Sequence, residues 1–276
     1  MSAWVGRPEK KEKVYCYIDG GAVRSACSKY APFFEEHELS LSWSKVAEPY
    51  ERVFYYDALP GHAKKGESDN EFDERIQRAR DKFESMRKTK GIFVNYGVSI
   101  RRRKQIEQKR VDTMIAVDML THAQRSLVSE VVLVTNDQDF FPVVVAVMEL
   151  GTKVHLLCDP QKTNDEFMYL SDETSELNLF SIYDWLPDEF QREHQLPTFK
   201  DRLGTIRGGA IWNEGSFAVG NDANMWQVLN LGTKESYFHR KLLPLLQFAI
   251  LEWRNCKELI NLLNTVEKKG EEVFLT

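Results

Sequence analysis

The sequence lacks the patterns that mark several large classes of protein. No apolar run approaches the length of a membrane-spanning helix, and the first residues are polar and charged, with no apolar signal segment. The four cysteines form no Cys-x-x-Cys pair, and the six histidines form no His-Glu-x-x-His motif. These absences predict a cytoplasmic protein with free thiols and no membrane partner. They also argue against a disulfide framework and a zinc site.

Glycine-rich phosphate-binding motifs are absent as well. The chain contains neither Gly-x-Gly-x-x-Gly nor Gly-x-x-x-x-Gly-Lys-[Ser/Thr]. The Gly20-Gly21 pair invites comparison with Rossmann-like nucleotide binders. However, Asp19 comes directly before it and would repel a diphosphate unless a metal intervened. A nucleotide-binding Rossmann domain is therefore the weakest of the alternatives that we consider.

The composition of the chain is that of a folded protein with a substantial core. Of its 276 residues, 42% are hydrophobic and 12% aromatic, which is too apolar for a disordered chain. The formal net charge is −5. A nucleic-acid partner would therefore have to be held by a local basic patch.

Short apolar runs alternate with helical patterns up to residue 183. This alternation predicts an α/β fold, a parallel sheet with helices on both faces. Three helices are predicted. Apolar residues recur at steps of three and four in Glu71–Met86 and four apart in Val111–Leu120, whereas Phe140–Leu150 is almost wholly apolar. The predicted strands are Val14–Ile18, Arg52–Tyr56, Ile92–Ile100, Val131–Val134, Lys153–Leu157 and Leu179–Tyr183.

The pattern changes after the last predicted strand. Trp185–Pro197 is predicted to be a linker, and the Gly- and Asn-rich runs that follow suggest a small antiparallel sheet. Tyr237–Leu263 is predicted to be helical. We therefore predict a first domain at 14–184 and a small α+β domain at 198–276. The second domain is a candidate for substrate choice, oligomerisation, contact with a protein partner, or regulation.

Acidic residues follow two predicted strands and open one predicted helix. Asp19 ends the first strand, Asp137 and Asp139 follow the fourth, and Asp112 lies in the first turn of a helix. Each acid alone could be an ordinary turn residue or helix cap. Because the carboxyl ends of parallel strands meet at one edge, we expect the four to converge. Crowded carboxylates suit Mg²⁺ or Mn²⁺, which can activate water for phosphodiester hydrolysis.

A basic run comes just before the helix that Asp112 opens. Such a run is often only a solvated surface, but beside an acidic site it could also contact phosphates. We consider both interpretations. The nucleic-acid-binding candidates are Arg101, Arg102, Arg103, Lys104, Lys109 and Arg110.

Three segments together resemble the NYN family of PIN-like nucleases. They are Ile18-Asp19-Gly20, then Lys109–Asp112 with Asp118 on the same helix, and finally Thr135–Pro142, which reads TNDQDFFP. The last resembles the family's [Ser/Thr]-x-Asp-x-Asp-Phe-x-Pro run and is the most specific of the three. The resemblance covers about residues 14–183. It implies a PIN-like, Rossmann-like sheet of five or six parallel strands.

The resemblance also implies a metal-dependent ribonuclease-type site. It assigns catalytic and metal-binding roles by position to Asp19, Asp112, Asp137 and Asp139. Asp118 matches a family acid, but it is rotated about 240° from Asp112 on a helix, so we expect a supporting role. Supporting roles are also expected for Thr135 and Asn136.

The leading hypothesis is a Mg²⁺- or Mn²⁺-dependent endoribonuclease. A second hypothesis is a nucleic-acid-binding or scaffold protein with little catalysis. Its motivation is Ala22, which stands where many family members have Asn. A third hypothesis keeps the enzyme but makes DNA the substrate, since metal-bound carboxylates do not read the 2′-hydroxyl group.

Overall fold

The chain forms two compact units in the computed structural model. One comprises Met1–Ala31 with His37–Pro187, and the other comprises Pro32–Glu36 with Asp188–Thr276. Within the described residues, no helix has the length and apolar character needed to cross a membrane. Only the backbone is described for residues 98, 100–102, 105–107 and 199. The structure describes residues 13–98, 100–102, 105–107, 111–199, 205–206, 209–222, 225–254, 256–270 and 274.

The described strands of the first unit are β1 (Val14–Asp19), β2 (Arg52–Leu59), β3 (Ile92–Val98), β4 (Ile100–Arg102), β5 (Gln105–Glu107), β6 (Glu130–Val134), β7 (Lys153–Cys158) and β8 (Glu173–Glu176). Six of them form one sheet in the order β3-β2-β1-β6-β7-β8, in which every neighbouring pair is parallel. β4 and β5 form a separate antiparallel pair. This parallel α/β sheet confirms the predicted PIN-like fold class.

The helices of the first unit begin and end at recognisable signals. Ser68 and Glu71 form a capping box at the start of the helix Asp69–Arg87, and Gly151 follows the helix Phe141–Glu149 with a φ of +79°. The interior residues of the helix after β5 are apolar at every fourth position. The described helices are α1 (Gly20–Tyr30), α2 (Trp43–Ala47), α3 (Asp69–Arg87), α4 (Val111–Gln124), α5 (Phe141–Glu149), α6 (Asp165–Leu170) and α7 (Leu179–Asp184).

The core of the first unit lies between the sheet and helices α4 and α5. Tyr17 and Leu133 of the central strands are fully buried, and they pack in one cluster with Ile115 and Met119 of α4. Each fully buried side chain of this size contributes about 1.5–3 kcal/mol through removal from water. This packing fixes α4, and therefore the residues in its first turn, against β1 and β6.

The strand order reverses between β1 and β6. The chain runs outward from β1 to β3 on one side and from β6 to β8 on the other. The two central strands pair in parallel, with Val14 opposite Glu130 and Ile18 opposite Val134. Their connections therefore leave in opposite directions and open a crevice at the carboxyl ends, which is where open α/β sheets place their sites.

The prediction of a strand at Leu179–Tyr183 was wrong. This segment is helix α7, and the side chain of Asn178 caps it by accepting hydrogen bonds from the amides of Phe180 and Ser181. The sixth strand is β8, whose four residues are polar and mostly exposed at the edge of the sheet. An edge strand without an apolar face gives no hydrophobic pattern, whereas the apolar residues of a short helix imitate a strand.

The second unit is a small α+β structure. Its described elements are α8 (Asp188–Glu193), β9 (Thr198–Phe199), β10 (Ala210–Glu214), β11 (Phe217–Asp222), β12 (Met225–Asn230), β13 (Ser236–His239), α9 (Leu242–Glu252) and α10 (Lys257–Lys269). The five-stranded antiparallel sheet has the order β10-β11-β12-β13-β9, and α9 and α10 pack against one face through a core that includes Val219, Val228 and Leu245. The predicted α+β class is confirmed.

Two boundaries in this region differ from the prediction. The predicted linker contains α8, and the predicted helix from Tyr237 begins instead with β13. β13 pairs with β12, so tertiary pairing overrides the local helical pattern at Tyr237. The helical segment then divides into α9 and α10, with Trp253 as the C-terminal cap of α9.

Candidate active site at the reversal of strand order

Asp19 is the last residue of β1 and the N-cap of α1. Its Oδ1 accepts a hydrogen bond of 2.8 Å from the amide of Gly21, and its Oδ2 accepts one of 3.2 Å from Thr135 Oγ1. Burial raises the pKa of Asp19, and these two hydrogen bonds offset part of that increase. The carboxylate is therefore held in one orientation at the carboxyl edge of the sheet.

Thr135 and Asn136 connect the ends of three neighbouring strands. Thr135 is fully buried, and besides donating to Asp19 its hydroxyl accepts a 3.1 Å hydrogen bond from the amide of Asp137. Asn136 Oδ1 accepts a 2.7 Å hydrogen bond from the amide of Asp159, directly after β7. Both side chains therefore hold the loop after β6 in place, and neither needs to touch a substrate to do so.

Asp137 caps the short 3₁₀ turn at Gln138–Phe140. Its Oδ1 accepts a 2.9 Å hydrogen bond from the amide of Asp139, and the buried ring of Phe140 anchors the turn. Asp137 is half-buried, whereas Asp139 is exposed. A carboxylate that caps a turn still has acceptor capacity on its second oxygen, so the structural and the metal-binding roles are compatible.

The charges of three of the predicted acids act on the fourth, Asp112. Partial desolvation raises the pKa of Asp112, and the negative charges of Asp19, Asp137 and Asp139 raise it further. Asp112 lies in the first turn of α4. The structure therefore brings carboxylates from β1, from the loop after β6 and from α4 within electrostatic range of one another.

The donor chemistry of this group suits a hard divalent cation. All four side chains offer only carboxylate oxygens, which favour Mg²⁺ or Mn²⁺ over softer metals. Among the described residues, no three His, Cys, Asp or Glu side chains are arranged to hold a metal ion as they stand. Mg²⁺ commonly keeps several waters and binds through one or two carboxylates and the phosphates of its substrate. The residues present therefore fit such an ion, although they do not form a closed cage.

Asp118 lies further along α4 and contacts β2. Its Oδ2 accepts a 2.7 Å hydrogen bond from the hydroxyl of Tyr56, on β2. This contact joins the middle of α4 to the sheet at Tyr56. In the sheet, Tyr56 of β2 lies opposite Asp19 of β1.

The basic run is only partly described. Arg101 and Arg102 belong to β4 by their backbone. The positions of Arg103, Lys104, Lys109 and Arg110 lie outside the described residues. Phosphate binding by these six side chains stays a prediction from the sequence.

Sequence reasoning missed a buried acid beside Asp19. Asp57 accepts hydrogen bonds from the Tyr55 hydroxyl (2.8 Å) and from the amide of Ala58 (2.7 Å), and it forms an ion pair with Arg24 of α1. Its charge raises the pKa of Asp19, whereas that of Arg24 lowers it. The available signal was its place directly after the predicted strand Arg52–Tyr56.

Gly20 allows this arrangement because it has no side chain. A Cβ atom at Gly20 would lie 2.6 Å from both Asp57 Oδ2 and the hydroxyl oxygen of Tyr55. The first turn of α1 can therefore approach β2 closely only with glycine at this position.

Two of three comparisons with known proteins found a match. A protein of unknown function from Vibrio parahaemolyticus RIMD 2210633, solved by crystallography, is similar at 17% sequence identity; the match covers 66% of this chain and 100% of that one, with a TM-score of 0.46. The comparison with curated proteins found no match. Residues 13–178 match the NYN domain, which defines a family of PIN-like nucleases and indicates nucleic acid as the substrate class. The chain therefore belongs to the NYN domain family.

Proposed function

We propose that this chain is a Mg²⁺- or Mn²⁺-dependent endonuclease that hydrolyses RNA. The observation that carries the proposal is the position of four acids around the reversal of strand order. Asp19 ends β1, Asp137 and Asp139 follow β6, and Asp112 lies in the first turn of α4, which packs on these strands. A group of four acids brought together from separate segments is costly unless a cation compensates their repulsion. Family membership supports the nuclease class.

In this proposal the chain's own residues bind and orient the reacting groups. Thr135 holds Asp19 in one orientation, and the turn that Asp137 caps fixes Asp137 and Asp139 relative to each other. The chemistry that a bound divalent ion supplies at such a site is polarisation of the phosphodiester and activation of water. A fixed set of carboxylates lowers the reorganisation that binding requires.

The direct test replaces two of the acids. We expect Asp137→Asn with Asp139→Asn to reduce cleavage of single-stranded RNA in Mn²⁺ by more than about 100-fold, which exceeds the 10–100-fold loss typical of residues that only support metal ligands. Asp73→Asn with Asp81→Asn, at two exposed acids of α3, is the matched control. Unchanged cleavage by the first double variant would contradict the proposal.

A binding function with little turnover is the second candidate. Ala22 is 4% exposed and carries no amide that could orient a ligand or water. If wild type binds RNA without cleaving it in Mn²⁺, and the Asp137 and Asp139 variants bind equally well in EDTA, this candidate replaces the enzyme. Cleavage of matched RNA and DNA strands side by side separates a ribonuclease from a deoxyribonuclease.

We also propose that the nuclease domain spans 14–184 and that 198–276 form an accessory domain for substrate choice, regulation, or contact with another copy or a protein partner. A second fold with its own apolar core supports an independent role. Light scattering of the full chain, with and without RNA, measures whether copies associate. A monomer under both conditions would exclude the role in association between copies.

A further inference from the structure

A cavity of about 200 Å³ opens on the side of the sheet that α1 covers. It is lined by residues of α1, of α3, of β2 and of the segment at 37–43. Its volume is below the roughly 300–1,000 Å³ of sites for drug-sized ligands, so it suits a ligand no larger than a single nucleotide.

Two cationic side chains, Arg24 and Lys82, lie in the lining of the cavity with the anion Glu38. Both cations are paired, Arg24 with the buried Asp57 and Lys82 with Glu38. An anionic ligand is therefore favoured by the N–H donors that these pairs leave unused, and not by a surplus of charge.

The two cations are held in different ways. Arg24 pairs with Asp57, which is 4% exposed, so its guanidinium is anchored on a buried carboxylate while its own side chain stays 44% exposed. A guanidinium has five N–H donors, which is more than Asp57 and Tyr55 can use. Lys82 pairs with Glu38 at 3.3 Å, with both side chains open to water. Such surface pairs contribute little, so Lys82 can exchange Glu38 for a phosphate at small cost.

The cavity also offers an aromatic surface. Trp43 is half-buried and packs edge-to-face against the buried ring of Tyr55, with ring centroids 5.1 Å apart at 74°. This contact fixes the indole while leaving part of it open to the cavity that it lines. Planar bases stack on such rings with about 1–3 kcal/mol per base and little sequence preference.

The cavity lies close to the group of acids. Asp19 is the N-cap of α1, and Arg24 lies five residues further along, which corresponds to about 7.5 Å of helix rise. A ligand held by Arg24 is therefore within reach of a phosphate at the acids.

We propose that this cavity binds one nucleotide of the nucleic-acid strand, with its base on Trp43 and its phosphate between Arg24 and Lys82. The assignment to the strand rests on the proposed nuclease function, whereas the binding of a mononucleotide does not. The shared chemistry is a planar base joined to a phosphate, which a free nucleoside monophosphate also presents.

Titration calorimetry with AMP, GMP, CMP and UMP in EDTA tests the cavity without any catalysis. We expect wild type to bind at least one of them, and adenosine or inorganic phosphate alone to bind more weakly than AMP. Lys82→Glu and Trp43→Leu should each weaken binding by about tenfold or more, as expected for a charge-assisted hydrogen bond or a stacked base. Arg80→Glu is the matched control, because Arg80 is exposed on the same helix about 200° from Lys82.

Absence of mononucleotide binding by wild type, or wild-type affinity in both variants, overturns the proposal. A second measurement uses fluorescence anisotropy of labelled single-stranded RNA in EDTA. Displacement of RNA by the mononucleotide in wild type, but not in Lys82→Glu, is expected. Binding without such competition overturns the assignment to the strand. Neither measurement depends on cleavage. A protein that cleaves RNA but binds no mononucleotide would contradict only the proposed cavity site. A protein that binds a mononucleotide but does not cleave RNA would contradict only the proposed nuclease function.

Discussion

The hydroxyl of Thr135 donates a hydrogen bond of 3.2 Å to Asp19, which lies 116 residues earlier in the chain. The same oxygen accepts a hydrogen bond from the amide of Asp137. One fully buried hydroxyl therefore joins the acid that ends β1 to the loop that carries two others. This contact leads to the first of four predictions.

Replacing Thr135 with Val should weaken both stability and cleavage. Valine keeps the shape but leaves Asp19 Oδ2 and the amide of Asp137 without this partner, at a cost of about 1–3 kcal/mol in the free energy of unfolding. We expect kcat/KM on RNA to fall by about tenfold, as for a residue that positions a ligand. Thr135→Ser keeps the hydroxyl and should restore most of the activity. Equal losses in the Ser and Val variants would show that the methyl group matters and the hydrogen bond does not.

Asp112 should destabilise the metal-free protein at neutral pH. Its pKa is raised above the ordinary value of 3.8, so the folded state binds its proton more tightly than the unfolded chain does. Its contribution to stability therefore falls as pH rises from about 3.8 through the folded-state pKa. Asp112→Asn should therefore raise the free energy of unfolding at pH 7. The gain should not exceed about 1 kcal/mol, because the residue is exposed and solvent screens its repulsion. The gain should disappear at a pH where Asp112 is protonated in both states.

Urea denaturation in EDTA at several pH values measures this difference. Addition of Mn²⁺ should stabilise wild type, since a ligand that binds only the folded state raises the free energy of unfolding. The increase should be smaller in Asp112→Asn. A variant that is less stable than wild type at pH 7 in EDTA would contradict mutual repulsion among the acids.

Gly20→Ala should be strongly destabilising, whereas Gly21→Ala should be nearly neutral. The new Cβ at Gly20 would meet Asp57 and Tyr55 at 2.6 Å in a buried region, and overpacking of this kind costs about 1–3 kcal/mol. At Gly21 the nearest atom is Asp19 Oδ1 at 3.1 Å, and the gain in helix propensity of about 1 kcal/mol offsets this tighter contact. Thermal denaturation of the two variants makes a matched comparison, and equal melting temperatures would refute the close approach of α1 to β2.

The basic run should determine the salt dependence of RNA binding. Replacing Arg103 and Lys104 with Gln should lower affinity at every sequence tested. It should also reduce the slope of log K against log salt by about 0.7 for each phosphate that the protein no longer neutralises. Lys88→Gln with Lys90→Gln, at exposed positions after α3, is the control for a general loss of charge. An unchanged slope in the first variant would identify the run as a solvated surface.

The central strands of the parallel sheet could be predicted because local sequence patterns mark them. Buried parallel strands such as Val131–Val134 are continuous apolar runs, and turn residues mark their ends. The edge strand Glu173–Glu176 has no such pattern, since only one side of it meets the sheet. At Tyr237, pairing with β12 determines the strand conformation, and local sequence patterns do not predict this pairing.

The candidate site was predictable to the extent that strand ends carry acids. Asp19 and Asp137 were visible as acids directly after or near predicted strands, and the strand order then brings them together. Asp57 directly follows the predicted strand Arg52–Tyr56 and so satisfies the same rule, but nothing in the sequence shows that Arg24 would pair with it. Such pairing depends on the angle at which α1 crosses the sheet, and that angle is a property of packing.

The position of β1 between β2 and β6 also has a consequence for synthesis of the chain. β1 can pair with β2 as soon as both have left the ribosome, but its other edge stays unpaired until β6 has been translated. Asp19 and Asp112 precede that point, whereas Asp137 and Asp139 follow it. A nascent chain that stops before β6 therefore contains two of the four acids but lacks Thr135, which joins Asp19 to the loop of the other two. If the proposed activity is present, it appears only once both halves of the sheet have emerged.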